Sequence, residues 1–406
     1  MTKDDVICTA FEVWGRELYK TTSLTKLAET LGVSKPALYR HFPDKQTLQK
    51  AMEERFFDDY SQAIKPALEE AQKEERWQDR FLVFIQFISG YFSRHFDYFI
   101  YSIIGLHSNN RKHFFNTDAV KIRGVSFEKL IQSHSEQFPS ALLLAGVTAF
   151  FYTAAFHRHR HGCKTTGKPK TPLKKNWFSD KPSDAEIRRS IDAITELVRF
   201  GILFDKTIVE ELRCEELEKT GEKILIAPDP LLKAIAEVVA EEGPWNVSME
   251  TAAKRSGLSK SGLYAHFKSK ADMLSRLFMT EFERIVQCTT SRTVFGTNRE
   301  EKLYLAILSI ADYLRARPEM LTALDWVRIQ QLELDLSAPA ALNNFFKDIN
   351  IGVSMDGTWE KTSHWILFLL IAVLMHYSTE EKTEEFDYNC LRRLFRFICL
   401  GIEGLE

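Results

Sequence analysis

The chain has 406 residues, a hydrophobic fraction of 45%, a charged fraction of 27% and a formal net charge of −2. This length suits two to four domains, and the composition is typical of a soluble globular protein. Because the charge is nearly neutral, a global basic excess is excluded, and any contact with nucleic acid must come from local patches. Glycine and proline are sparse, at 18 and 12 residues, and long apolar-periodic stretches accompany them, so we predict an all-α protein.

Three features predict a cytoplasmic location. The six cysteines form no C-x-x-C pair and are typical of reduced thiols. The N-terminus carries charges on both sides of a short apolar stretch, which does not match a signal peptide. The longest unbroken apolar run, 365–375, has 11 residues, too few to span a bilayer. The longer stretch 141–156 is interrupted by Gly146, Thr148 and Thr153 and is interpreted as a buried bundle helix.

The first half of the chain begins with a predicted helix-turn-helix. Ser23 and Ser34 are expected to cap two short helices, 23–30 and 35–41, and Gly32 to adopt the left-handed conformation between them. These helices follow a longer first helix, which is the arrangement of a helix-turn-helix. The other helices predicted in this half are 4–19, 46–72, 76–96, 98–107, 117–137, 140–159 and 183–206.

A basic stretch at 157–182 interrupts this half, with eight Lys or Arg residues against one acid, and we predict a loop or a partly disordered insertion there. His157, His159, His161 and Cys163 alternate along it. In an extended segment they could ligate zinc or copper, but a solvated basic loop is the favoured interpretation, and we predict no metal site. The lysines of the loop could instead attract DNA or another polyanion.

The second half repeats the order of the first. An acidic connector is expected at 208–227. The predicted helices that follow are 228–242, the two short helices of a second helix-turn-helix, 271–289, 299–316, 319–334, 338–350, 359–378 and 383–402.

The strongest signal is a duplicated motif. Residues 23–45 read SLTKLAETLGVSKPALYRHFPDK, and residues 248–270 read SMETAAKRSGLSKSGLYAHFKSK. At a constant offset of 225, without gaps, 10 of the 23 aligned positions are identical. We interpret the two copies as a duplicated DNA-reading head.

The motif resembles the DNA-binding domain of the tetracycline-repressor (TetR) family of bacterial transcription regulators. The resemblance implies a three-helix DNA-binding domain followed by a helical ligand-binding and dimerisation body. Two such units in one chain give the predicted domains 1–48 (first DNA-binding domain), 49–226 (first body), 227–273 (second DNA-binding domain) and 274–406 (second body).

The family acts as homodimers, and the last two helices of each subunit pair into a four-helix bundle. A dimer-type DNA site needs two recognition helices about 34–36 Å apart, and one chain of this kind supplies both. We therefore predict a monomer with an internal pseudo-two-fold axis, in which 140–159 and 183–206 pack against 359–378 and 383–402.

The resemblance also assigns DNA-contacting residues by position. In the first head they are Thr25, Lys35, Pro36, Ala37, Tyr39, Arg40, His41 and Lys45; in the second they are Glu250, Lys260, Ser261, Gly262, Tyr264, His266 and Lys270. The His and Lys positions that would hold phosphates match between the heads, and the base-reading positions differ. Because base contacts specify sequence, an asymmetric or imperfectly palindromic operator is expected.

Four alternatives stay open at these positions. Glu250 could accept a hydrogen bond from a cytosine amino group or could repel phosphate. Tyr39 and Tyr264 could be packing residues, and Lys45 and Lys270 could be ordinary solvated lysines. The second head could be retained only for folding.

The predicted function is a transcription regulator, a repressor released by a small apolar or aromatic effector. Residues 81–104 are rich in Phe and Tyr, which suits a ligand cavity, but the same composition describes a plain helical core, so no ligand-binding residue is assigned. The alternative is a non-gated, architectural DNA-binding protein whose pocket is filled. The sequence contains no nucleophile elbow, phosphate loop or H-E-x-x-H motif, and we predict neither an enzyme nor a cofactor.

Overall fold

The structure is a computed structural model. It describes residues 2–17, 23–107, 123–125, 138–160, 181–202, 206–220, 227–244, 246–329, 340–348, 359–379 and 388–405. These residues form helices and connecting turns, and no strand occurs among them. The all-α prediction is therefore confirmed. The helix predicted at 117–137 lies outside the described residues, apart from 123–125.

The described helices follow the predicted order. In the first half they are α1 (Lys3–Glu17), α2 (Leu24–Leu31), α3 (Lys35–Tyr39), α4 (Lys45–Ala71), α5 (Trp77–Arg94), α6 (Phe96–His107), α7 (Phe138–Arg160) and α8 (Asp184–Phe200). In the second half they are α9 (Lys206–Glu211), α10 (Cys214–Glu218), α11 (Pro230–Glu242), α12 (Met249–Arg255), α13 (Lys260–His266), α14 (Lys270–Thr293), α15 (Arg299–Arg315), α16 (Pro318–Ile329), α17 (Ala340–Asp348), α18 (Trp359–Thr379) and α19 (Asn389–Leu400), followed by a 3-10 turn at Gly401–Leu405.

The chain divides into two compact units. Unit 1 contains Met1–Phe138 and Tyr152–Thr195, and unit 2 contains Pro139–Phe151 and Glu196–Glu406. Helix α7 is therefore divided between the units, with Pro139–Phe151 in unit 2 and its remaining residues in unit 1. The two units are defined by contacts between residues, whereas the predicted domain boundaries come from the repeat in the sequence. Those domain boundaries stay a prediction.

In unit 1 the helix-turn-helix is joined to the body through α1. The ring of Phe11 packs edge-on against Tyr98 of α6, with centroids 4.8 Å apart. On the surface beside it, Arg55 of α4 pairs with Asp4 of α1 at 3.2 Å and with Asp59 at 2.7 Å. The hydroxyl of Tyr98 donates to Asp59 at 2.5 Å. Apolar and charged contacts thus connect the head to both α4 and α6.

The loop prediction for 157–182 is wrong at its start, because α7 continues to Arg160. His157 is buried. Its Nε2 lies 3.0 Å from the carbonyl oxygen of Phe92, and its ring lies 4.3 Å from that of Phe96. His157 is thus a core residue of the helix, in agreement with the predicted helix 140–159 and not with the overlapping loop. The described residues contain no group of three potential metal ligands, and His161 and Cys163 lie outside them.

In unit 2 the segment predicted as an acidic connector is partly helical and packed. Leu217 of α10 is buried. The carboxylate of Glu218 accepts hydrogen bonds from the Tyr304 hydroxyl at 2.5 Å and from Arg392 at 2.7 Å. The acids of this segment therefore hold it against α15 and α19, which the run of charge along the sequence did not indicate.

The N-terminal part of α7 packs against α18 in unit 2. The Trp365 indole Nε1 donates to the Thr148 hydroxyl at 3.0 Å, and the rings of Phe151 and Phe368 lie 5.1 Å apart. By length and composition alone, 140–157 of α7 is the one described stretch of 18 or more residues apolar enough to cross a membrane. Its contacts in unit 2 are those of a core helix.

The ends of α8 and α19 contact each other reciprocally in unit 2. Each helix is followed by Gly-Ile, at Gly201 and Gly401, and both glycines have positive φ, at 68° and 64°. The Ile202 amide donates to the Ile398 carbonyl at 2.9 Å. A Cβ at Gly201 would lie 2.5 Å from that carbonyl oxygen, and a Cβ at Gly401 would lie 2.3 Å from the carbonyl oxygen of Arg199. Only glycine permits this approach on both sides.

Candidate nucleic-acid interface

In the first head, local hydrogen bonds determine where each helix begins. The Ser23 hydroxyl accepts from the Lys26 amide at 3.2 Å, and the Ser34 hydroxyl accepts from the Ala37 amide at 3.4 Å. Gly32 ends α2 with φ 65°. The N-caps and the left-handed glycine predicted here are confirmed, and they orient α3 relative to α2.

The second head is built in the same way. Ser248 and Thr251 form a capping box at the start of α12, and Ser259 caps α13 by accepting from the Gly262 amide at 3.0 Å. Gly257, with φ 72°, lies between them. The two heads therefore share one local construction.

The crossing of the two short helices depends on small and buried side chains. Ala28 and its counterpart Ala253 are buried between the helices, and Leu38 and Leu263 are fully buried beneath the recognition helices α3 and α13. These apolar contacts fix the inner side of each recognition helix and leave the opposite side to solvent.

Tyr39 and Tyr264 lie on that outer side. Their exposed fractions are 46% and 48%, among the largest for apolar side chains of the described residues. A ring that served packing would lose this area to neighbours, so the exposure argues against a packing role. Both rings are available to contact a partner.

Lys45 and Lys270 occupy matching places at the first residue of α4 and α14. Partial burial lowers the pKa of each ammonium group below its ordinary value. Each lies at a helix N-terminus, where backbone N–H groups and the helix dipole favour an anion. The placement suits a phosphate contact.

None of the predicted DNA-contacting residues is buried. The exposed ones are Lys35, Pro36, Tyr39, Arg40, Glu250, Lys260, Ser261, Tyr264 and His266, and the half-buried ones are Thr25, Ala37, His41, Lys45, Gly262 and Lys270. One boundary differs from the prediction: α3 ends at Tyr39, so His41 follows the helix, whereas His266 is the last residue of α13.

An ion pair in the second head was not predicted from the sequence. Glu250 of α12 and Lys260 of α13 approach to 4.0 Å between Oε2 and Nζ. The first head has Thr25 in place of the acid. The ten-residue separation of the pair carries no local pattern, so only the crossing of the two helices brings the charges together.

The two bodies differ at a tyrosine that lies five residues before the sixth helix of each repeat. This residue is Tyr91 before α6 and Tyr313 before α16. The Tyr313 hydroxyl donates to Glu281 at 2.6 Å and accepts from Arg317 at 2.7 Å. The Tyr91 hydroxyl is buried and has no hydrogen-bond partner among the described residues. In the same unit, the buried hydroxyls of Ser61, Ser89 and Ser93 also have none among those residues.

Residues 6–52 and 231–277 each match the family model described as bacterial regulatory proteins, tetR family. Among solved structures, the chain is similar to the fatty acid degradation regulator FadR from Bacillus halodurans. The TM-score is 0.32, the identity is 19%, and the match covers 43% of this chain and 96% of that one. No curated protein matches the chain.

The capped helices, left-handed turn glycines and exposed recognition faces define a helix-turn-helix DNA-binding protein, with the head present twice. Both heads are matched by the family model, so the DNA-binding domain of the tetR family is present twice in the chain.

Proposed function

We propose that the protein is a cytoplasmic transcription repressor that binds an asymmetric or imperfectly palindromic operator as a single-chain pseudo-dimer. A small molecule bound in the first helical body releases it from DNA. The observation that carries the pseudo-dimer is the reciprocal contact between the ends of α8 and α19.

A two-fold interface is self-complementary, so that a residue and its equivalent make the same contact in both directions. Gly201 lies against the end of α19, and Gly401 lies against the end of α8. Each glycine is followed by an isoleucine and lies at the end of the last long helix of its repeat. This reciprocal contact supports an internal pseudo-two-fold axis. The contact would take the place of the interface between the two subunits of a homodimer of the family.

If one chain supplies both halves of the dimer, the protein in solution is expected to have the mass of a single chain. Size-exclusion chromatography with light scattering measures this directly. A stable two-chain species across a range of protein concentrations would contradict the pseudo-dimer.

The heads support an operator with unequal halves. Tyr, His and Lys recur at equivalent positions of both heads. In the alignment, however, Arg40 corresponds to Ala265 and Thr25 corresponds to Glu250. Selection of bound DNA from a random pool is expected to return two half-sites of different sequence. Two identical half-sites would exclude an asymmetric operator.

The orphaned hydroxyls support effector binding in the first body. Buried polar groups are nearly always hydrogen-bonded, and exceptions call for a bound ligand or water. In the second body the equivalent tyrosine is already satisfied by Glu281 and Arg317. The first body therefore suits an aromatic or apolar effector that carries a hydrogen-bonding group.

The two tyrosines give a matched test. Tyr91→Phe removes a hydroxyl without a described partner, so the free energy of unfolding should stay the same or rise by up to about 1 kcal/mol. Tyr313→Phe removes bonds to charged groups, and a loss of about 1.5–3 kcal/mol is expected. Urea unfolding of both variants provides the comparison. Equal losses would mean that the Tyr91 hydroxyl is satisfied, which contradicts its assignment to an effector.

A thermal-shift assay with a panel of aromatic small molecules distinguishes the gated repressor from the non-gated, architectural alternative. A stabilising compound that also lowers operator affinity supports gating. If no compound in the panel changes either quantity, the architectural function is favoured.

A further inference from the structure

Glu250 and Lys260 form a charged pair on the outer surface of the second head. The pair joins α12 to α13, and its members are 81% and 60% exposed, respectively. Ion pairs this exposed contribute little to folding. Stability therefore does not account for an acid placed on a surface whose proposed partner is a polyanion.

The position of Glu250 is determined by the local structure. The capping box of Ser248 and Thr251 fixes the start of α12, and Glu250 stands in its first turn, where the helix dipole favours a carboxylate. Lys260 is the first residue of α13, which Ser259 caps. Both charges are thus held at the N-terminal ends of the two helices, on the side that bears the reading residues.

The pair matches the major-groove edge of a G·C base pair. Guanine presents the acceptors N7 and O6, and cytosine presents the N4 amino donor. The cytosine N4 amino group donates a hydrogen bond to guanine O6 within the base pair, so these two atoms lie about 2.9 Å apart. A carboxylate and an ammonium group 4.0 Å apart reach both with small adjustments.

An A·T pair fits less well. Its amino donor lies between two acceptors, adenine N7 and thymine O4, so a carboxylate there has an acceptor on each side. In a G·C pair the donor is at the end of the pattern, and the two adjacent acceptors of guanine remain for the lysine. The chemistry therefore favours G·C.

We propose that Glu250 and Lys260 together read a G·C base pair in the half-site of the second head. Glu250 accepts from the cytosine amino group, and Lys260 donates to guanine. The first head makes no such contact, since Thr25 replaces the acid and the described residues offer Lys35 no ion pair. The inference rests on the proposed DNA binding by both heads.

The test uses the full chain and the operator selected from a random pool. Fluorescence anisotropy measures binding to duplexes that carry each of the four base pairs at every position of both half-sites. Wild type is expected to prefer G·C at one position of one half-site by about 5- to 150-fold. Glu250→Thr should abolish the preference for cytosine there, and Glu250→Gln should shift it toward adenine, which an amide recognises.

Thr25→Glu is the matched control, since it places the acid at the equivalent position of the other head. Thr25→Glu should create a G·C preference in the half-site of the first head. It should leave the G·C preference in the half-site of the second head unchanged. Thermal unfolding of each variant confirms that the fold is retained. Glu250 is exposed and Thr25 is half-buried, and Glu250→Thr introduces the residue that the first head already has.

Two results would overturn the inference alone. The first is that Glu250→Thr raises the affinity for all sequences equally, which would mean that Glu250 only repels phosphate. The second is a preference for A·T at that position. If wild type selects no sequence from the pool, the proposed function fails, and this inference fails with it.

Discussion

Replacing Gly401 with alanine is expected to lower the free energy of unfolding by about 3 kcal/mol or more. The backbone there has φ 64° and ψ −154°, a conformation that costs a residue with a side chain about 1–3 kcal/mol. In addition, the new Cβ would lie 2.3 Å from the Arg199 carbonyl oxygen, so the ends of α8 and α19 must separate. Urea unfolding measures the loss, and operator affinity should fall with it because the proposed pseudo-dimer contact is disturbed.

Gly201→Ala is the reciprocal variant and should be similarly destabilising, since its Cβ would lie 2.5 Å from the Ile398 carbonyl oxygen. Gly146→Ala is the control. That glycine lies inside α7 with nothing within 4 Å of an added Cβ, and a helix-interior alanine should stabilise by about 0.5–1 kcal/mol. If all three substitutions had equal effects, the close approach of α8 and α19 would be refuted.

Reversing the charge of one recognition helix is expected to weaken operator binding by about 10²–10⁴-fold. Two linked heads bind with an avidity that exceeds either alone, and loss of one leaves only the affinity of the other. Lys35→Glu tests the first head, and Lys260→Glu tests the second. Both lysines are exposed, so the fold should persist, and anisotropy with the selected operator measures the loss.

The control for this prediction is Lys65→Glu, which makes the same charge change at an exposed residue of α4 outside the heads. It should alter affinity far less than either head variant. If Lys260→Glu has no more effect than this control while Lys35→Glu abolishes binding, the second head serves folding and not recognition. That outcome would also remove the operator asymmetry proposed above.

Much of the helix-turn-helix was predictable because its determinants are local. Ser34, three residues before the amide that it caps, and Gly32, at the end of α2, act through contacts within one helical turn. The local pattern predicts them in the first head, and their counterparts in the second head follow from the constant offset of 225. The exposure of Tyr39 and Tyr264 agrees with their predicted place on the outer face of each recognition helix, and their contact with DNA stays a prediction.

The environment of a side chain was not predictable where its partners are distant in the sequence. His157 falls in both the predicted helix 140–159 and the predicted loop 157–182, and only its contacts with Phe92 and Phe96 place it in the core of unit 1. The acids near Glu218 were assigned to a connector, yet Tyr304 and Arg392 bind them. In both cases the composition of the segment was read correctly, and the partners lay more than 50 residues away.

The sequence by itself determined the helical class, the two heads, their caps and their turn glycines, because each of these depends on hydrogen bonds and apolar spacing within a few residues. Only the tertiary structure decided which charges and which helix ends meet. Glu250 reaches Lys260 only through the crossing of α12 and α13. Gly201 and Gly401 meet only because α8 and α19 end against each other. Such contacts depend on the path of the whole chain, which no local period encodes.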